Sequence, residues 1–249
     1  MIQSPQYAGP NRLLQSLSDA DFDLLRLHLD PVSLTMRQSL EVADRIPRDI
    51  FFMEGSVASV VATLRGGKNF EVGLIGWEGM TGTSILVGAP SPFDCYVQFV
   101  GPALRLPAKG LVSAFAQSDT LRWALELYAH MLSVQTAYTA LASAHAPIQK
   151  RLARWLLMIH DRVEGDRFPV THEFLSIMLG VRRPGITTTL HELESMHLVK
   201  STRGALTILD RDGLLALAGD GYGKTERSYD DLISAVDPEL IPLRVTTNQ

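Results

Sequence analysis

Cysteine is almost missing from this chain of 249 residues: Cys95 stands alone. One thiol excludes a disulfide framework or a four-cysteine iron–sulfur cluster within a single chain, and it fits a reducing compartment. The opening MIQSPQYAGPNR lacks the basic start and apolar core of a secretory signal, so a cytoplasmic location is expected. An excess of positive charge is lacking too. The net charge of -4 gives no global pull on nucleic acid, and any such binding must come from a local basic patch. Histidine is missing between residues 31 and 107; all seven lie outside, His28 before that stretch and the rest from His130 onward. That removes a metal enzyme of the cupin type, which needs several histidines and a carboxylate on one ion. No P-loop, GxSxG elbow or HExxH helix occurs either. The expectation is a chain that is not an enzyme and holds no metal or cofactor. Cys95 beside Tyr96 could act as a redox or haem-linked sensor, but a buried, inert thiol is the plainer reading. Trp123 to Ala146 approaches membrane-spanning length, yet Glu126, His130 and Gln135 interrupt it, which reads as a buried or oligomeric helix and no membrane partner.

What is present is a globular composition, 46% hydrophobic and 20% charged, with room for two domains. Residues 11–29 place Leu13, Leu14, Leu17, Phe22, Leu25 and Leu29 at near-helical spacing, with Ser18-Asp19 as the N-cap of a second short helix. From about 31 to 107 short apolar runs take over: Ile50–Phe52, Ser59–Leu64, Phe70–Ile75, Tyr96–Val100 and Leu104–Leu106. Turn formers such as Gly76, Gly79, Gly82, Gly88 and Pro90 separate them. This pattern predicts antiparallel strands in a sandwich or barrel.

Near residue 110 the period lengthens. Ala124, Leu127, Met131, Val134, Tyr138, Leu141, His145, Ile148, Leu152 and Trp155 follow one another at steps of three and four, a heptad stripe. Such a stripe packs on a partner copy or on the chain's own core. Its length favours a homodimer seam through Leu127, Met131, Val134, Tyr138, Leu141 and His145. Facing copies of His145 would repel when protonated, although a half-exposed histidine at a helix end is the simpler reading. Pro147 lacks an N–H and clashes with the preceding turn, so the helix is expected to stop near Ala146. A new one should run from Ile148 to about Arg162.

Further on, Thr171 is placed to cap a short helix ending at Leu179, and Gly180 supplies the tight turn. Arg183-Pro184 opens another helix, with proline acceptable in its first turn. A hairpin of Leu198–Ser201 and Leu206–Leu209 follows. Two helices joined by a glycine turn and trailed by a hairpin make a winged helix-turn-helix. At about 100° per residue, Ile186, Leu190 and Leu193 face inward, while Pro184, Thr187, Thr188, His191 and Ser195 face out. Arg182 and Arg183 stand at the N-terminal end, where a recognition helix reaches base edges. Arginine grips guanine in bidentate fashion and threonine touches a thymine methyl. Thr171, Lys200 and Arg203 are placed for phosphates. Between Pro147 and Ala205 nine Lys/Arg stand against six Asp/Glu, a basic segment in an acidic chain.

Leu179-Gly180-Val181-Arg182-Arg183 leading into Ile186, then Leu190-His191-Glu192-Leu193-Glu194 and His197-Leu198-Val199, resemble the turn, recognition helix and wing join of the CRP/FNR superfamily of bacterial transcription regulators. The resemblance extends from about Leu13 to Leu217, and Val72–Gly82 resembles a branch in which the nucleotide-binding cassette is replaced. It implies an α+β fold: an antiparallel β-roll of the cyclic-nucleotide-binding kind at 11–118, a long dimerisation helix at 119–146 and a winged helix-turn-helix at 147–218. A tail occupies 219–249. It further implies a homodimer on double-stranded DNA, with RNA polymerase as a partner where such a regulator activates, and a β-roll that re-aims the helices through the Pro147 hinge. No motif names an effector.

Two departures matter. The family's Arg–Glu–x–x–x–Arg pattern is met by Arg183 alone, with Pro184 and Thr188 at the other positions, which implies a different operator. In the family's cyclic-nucleotide binders a Gly-Glu pair is followed by an arginine that neutralises the phosphate. Here residues 88–95 contain no arginine and include Asp94, so binding of cyclic AMP in that manner is not expected. The rival reading is a β-roll dimerisation module without regulated DNA binding.

Overall fold

The computed structural model describes residues 7–64, 67 and 69–223; the first six residues and most of the tail lie outside the described residues. Side-chain caps define the first elements. Asn11 caps α1 (Arg12–Gln15), and Ser18 caps α2 (Asp19–Arg26), accepting from the Asp21 N–H at 3.2 Å. The strands are β1 (Asp30–Leu34), β2 (Ser39–Glu41), β3 (Asp49–Met53), β4 (Val57–Thr63), β5 (Asn69–Ile75), β6 (Asp94–Phe99) and β7 (Gly101–Pro107). They form two antiparallel sheets, β1-β7-β3 and β2-β6-β4-β5, as the short apolar runs imply. Leu34, Phe51, Met53, Val60, Ile75 and Val97 fill the space between the sheets. Two strands escaped the sequence reading. β1 carries Pro31 and is buried only at Leu34, and β2 is three residues long, so neither shows an apolar alternation.

Helices α3 (Ala108–Phe115) and α4 (Asp119–His145) follow the roll. Ser118 caps α4 through the Leu121 N–H at 3.1 Å. Leu121, Leu125, Tyr128 and Met131 of α4 pack with Leu13, Leu14, Leu25, Phe52 and Leu111 into a second core. Helix α4 stops where expected. Ala146 and Pro147 are both extended, with ψ of 140° and 157°, as the residue before a proline prefers, and α5 (Ile148–His160) starts afresh.

The C-terminal part comprises β8 (Arg167–Pro169), α6 (His172–Met178), α7 (Arg183–Ser195), β9 (Val199–Thr202), β10 (Ala205–Ile208) and α8 (Arg211–Ala218). The expected hairpin is the β9–β10 part of a three-stranded sheet ordered β8-β10-β9. Strand β8 is only three residues long and pairs across a distance in sequence that no local pattern reveals. A third core joins α5, α6, α7 and α8 to Val57, Leu74 and Phe99 of the roll.

Gly79 illustrates how closely α4 sits on the roll. A Cβ there would overlap the ring of Tyr128, whose hydroxyl donates to the Met80 carbonyl at 3.0 Å. Gly79→Ala is expected to destabilise the chain by ~1–3 kcal/mol, the usual cost of overpacking, read as a lower urea midpoint with unchanged slope.

Candidate nucleic-acid interface

The Thr171 hydroxyl accepts from the Phe174 N–H at 3.1 Å and starts α6, which buries Leu175 and Met178. Gly180 ends it at φ 61°, a left-handed conformation that a side chain would strain. A Cβ on Gly180 would also stand 3.0 Å from Phe70, so the turn lies directly against β5. Helix α7 then begins at Arg183 with Pro184 in its first turn and buries Ile186, Thr189, Leu190 and Leu193. Its opposite side leaves Arg182, Arg183, Pro184, Thr188 and His191 exposed. Beside it the wing turns at Gly204, φ 77°, with Lys200 and Arg203 exposed.

Arg182 and Arg183 thus stand exposed at the start of α7 and Lys200 and Arg203 on the wing, and among the described residues none of them is ion-paired. Four exposed cations, two of them at the positive end of the α7 dipole, favour anions on an otherwise acidic chain. Thr188 is exposed, and its hydroxyl donates to the Pro184 carbonyl at 3.1 Å.

Thr187 is less open than its spacing suggests. It is half-buried, donates to the Arg183 carbonyl at 3.2 Å, and stands 3.0 Å from Nδ1 of His172. Because the Thr187 hydrogen is committed, the imidazole is the donor in that contact. Its Nε2 lies 3.5 Å from the Ser201 hydroxyl on β9. Glu194 completes the arrangement: one oxygen accepts from the Ser201 N–H at 2.7 Å and the other faces His191 Nδ1 at 3.2 Å. His172, Glu194 and Ser201 were not singled out in the sequence. They connect α6, α7 and the wing across gaps that no helical or strand period spans; only the place of His172 directly after the Thr171 cap hinted at it.

Along α4 the heptad stripe divides. Met131 is turned into the chain's own core, and Ala124 packs against it. Leu127, Val134 and Tyr138 are half-buried, His145 is exposed, and Leu141 is 54% exposed. Between α4 and the roll lies a cavity of about 200 Å³ lined by Glu41, Thr83, Ser91, Phe93, Leu132 and Thr136 among others, with no Lys or Arg in its wall. Glu41 accepts from the Gly82 N–H at 2.8 Å, and burial pushes its carboxyl pKa upward. Burial, then the nearby Glu41 and Asp94, push the Cys95 thiol well up, so it stays protonated and unreactive. Among the described residues no group of three His, Cys, Asp or Glu could hold a metal ion, and no helix is long and apolar enough to cross a membrane.

Residues 150–217 match the family model of the Crp-like helix-turn-helix domain. No curated protein matches the chain in sequence. Among solved structures it is similar to a protein from Eubacterium rectale assigned to the CRP/FNR regulator family, with 18% identity, 83% of this chain and 97% of that one covered, and a TM-score of 0.65. FixK2 from Bradyrhizobium japonicum shares 12% identity over 77% of this chain and 98% of its own, with a TM-score of 0.66. A CRP-family transcriptional regulator from Thermus thermophilus shares 15% over 76% and 97%, at 0.63. The chain thus carries a Crp-like helix-turn-helix domain, mounted in the fold of the CRP/FNR transcription regulators.

Proposed function

We propose that this chain is a sequence-specific transcription regulator that binds double-stranded DNA as a homodimer. The observation that carries the reading is the Crp-like helix-turn-helix with Arg182 and Arg183 exposed at the start of α7 and Lys200 and Arg203 exposed on its wing. In this reading residues 11–118 sense, 119–146 dimerise and 147–218 read DNA. The half-exposed stripe of Leu127, Val134, Tyr138 and Leu141 supports a partner copy along α4. Two copies would present α7 to half-sites about one DNA turn apart. Arg183 takes the guanine-reading role, while Pro184 and Thr188 shift the preferred operator away from that of Arg–Glu–x–x–x–Arg proteins. The cation-free cavity beside Glu41 argues against a cyclic phosphate as effector, since an anion held without a counter-charge binds weakly. RNA polymerase is the further partner if the chain activates, and the cytoplasm is the compartment such a role requires.

Selection of binding sites from random duplex DNA at ~150 mM salt tests the reading. Recovery of an inverted repeat with half-sites about 10 base pairs apart is expected. No enrichment, with or without added cell extract, favours the dimerisation module instead. On the recovered site Arg183→Ala should cost about 1–3 kcal/mol and relax one base position, whereas Lys200→Ala should weaken all sequences alike and lower the salt slope by about one.

His172 gives a separate prediction. Losing its hydrogen bond to Thr187 is expected to weaken operator binding by about tenfold, on the order of 1 kcal/mol, in His172→Ala. His172→Asn, whose amide donates from near the Nδ1 position, should recover most of it. Equal affinities for the two variants would remove the residue from the interface.

A further inference from the structure

The outer face of the β2-β6-β4-β5 sheet is covered by the DNA-binding module of the same chain. Val57, Leu74 and Phe99 enter its core, and the Phe99 and Phe168 rings meet edge-on at 5.9 Å. Arg162, just beyond α5, pairs with Glu78 at 2.7 Å, with both side chains largely buried. At the centre of this contact sits a carboxyl group, Glu71 of β5, only 4% exposed. The Trp155 indole N–H of α5 donates to one oxygen at 2.7 Å. The Ser59 hydroxyl of β4 contacts the other oxygen, and it also lies 2.6 Å from Gln98 Oε1 on β6. This polar link from the helix to the carboxyl crosses from module to sheet.

We propose that Glu71 is a proton-operated latch: as a neutral acid it holds the DNA-binding module on the roll, and on ionisation it releases the module to swing about the Ala146–Pro147 hinge. The hydrogen bonds suit a neutral acid: Trp155 donates to one oxygen, the acid donates to Ser59, and Ser59 donates to Gln98. Every oxygen in that row then finds its complement, while Gln98 Nε2 has no hydrogen-bond partner among the described residues. The other groups around it are Tyr96 on β6, Arg154 and Arg151 on α5, and Arg162; Met178 of α6 and Thr139 and Ser143 of α4 add no charge. Burial pushes the Glu71 carboxyl up to about 7, with the Ser59 and Trp155 hydrogen bonds and then the Arg154 and Arg162 charges holding it from going higher. Released into water, the group returns towards its ordinary 4.5. A pKa raised in the docked state means that docking gains most below about 4.5. That gain is lost as pH rises through about 7.

Undocking would change where α7 sits relative to the α4 seam while leaving both domains folded. Hydrogen exchange of the full-length chain, comparing wild type with Glu71→Gln at each pH between 5 and 7.5, reads this directly and needs no operator. Glutamine has the shape of the neutral acid and stays latched. The ratio of exchange rates, wild type over variant, is expected to rise roughly fifty-fold across that range for peptides of α5 and β5, and to stay level for β3 and β7. A ratio that is level for α5 and β5, or one that rises equally in β3 and β7, overturns the latch.

Discussion

Everything else in this molecule depends on a sheet buried on both faces. The strands β2-β6-β4-β5 turn Ala58, Val60, Ile75 and Val97 towards the roll and Val57, Leu74 and Phe99 towards the DNA-binding module. Each large side chain so buried contributes about 1.5–3 kcal/mol, which a solvent-facing sheet would forgo on one side. The same double burial dictates the chemistry of the polar residues in these strands. Ser59, Glu71 and Gln98 cannot reach water, and an unsatisfied polar group there costs more than a hydrogen bond returns. Their mutual contacts and the Trp155 indole satisfy these groups except Gln98 Nε2, and together with the Arg162–Glu78 pair they tie the two domains together.

Fastening the module by α5 and α6 leaves the other side of α7 free. Arg182, Arg183, Lys200 and Arg203 keep their charge unspent there, while the interior cation Arg162 is paired with Glu78. Arg162, beside the sheet, is thus spent on folding, whereas the cations at the start of α7 and on the wing stay exposed. His172 and Glu194 lie between the two sets. By bonding to Thr187, Ser201 and His191 they hold the wing and α7 at one angle, so the charges arrive as a group rather than on independently moving elements.

How much of this was legible in the sequence follows from the range of each interaction. The caps at Ser18 and Thr171, the stop at Pro147, the turn at Gly180 and the inward stripe of α7 each arise within about four residues, and all could be read. The strands β3, β4, β5 and β6 were visible as apolar runs because burial on two sides removes polar alternation, and β7 showed as the short run Leu104–Leu106. Strand β8 and helix α8 were not, since their stability comes from partners far along the chain. The same reason hid His172, which acts across 15 and 29 residues, and Glu71, whose partner Trp155 lies 84 residues away. A glutamate inside a run such as FEVGLI reads as an edge or an irregularity until the covering helix is known.

Helix α4 shows why a heptad stripe alone could not assign its partner. Leu121, Leu125, Tyr128 and Gln135 form one row that faces the roll; Leu127, Val134, Tyr138, Leu141 and His145 form another, also at steps of three and four or their sums. The rows lie about 120° apart around the axis, and Met131 falls on the border and goes to the roll. With 27 residues the helix is about 40 Å long, enough for its first half to build the subunit core and its second half to meet something else. Beyond Gln135 its own chain buries none of its side chains fully. An apolar row that continues past the end of its own core, up to the hinge that carries the DNA-binding module, is placed where a second copy would set the spacing between two such modules.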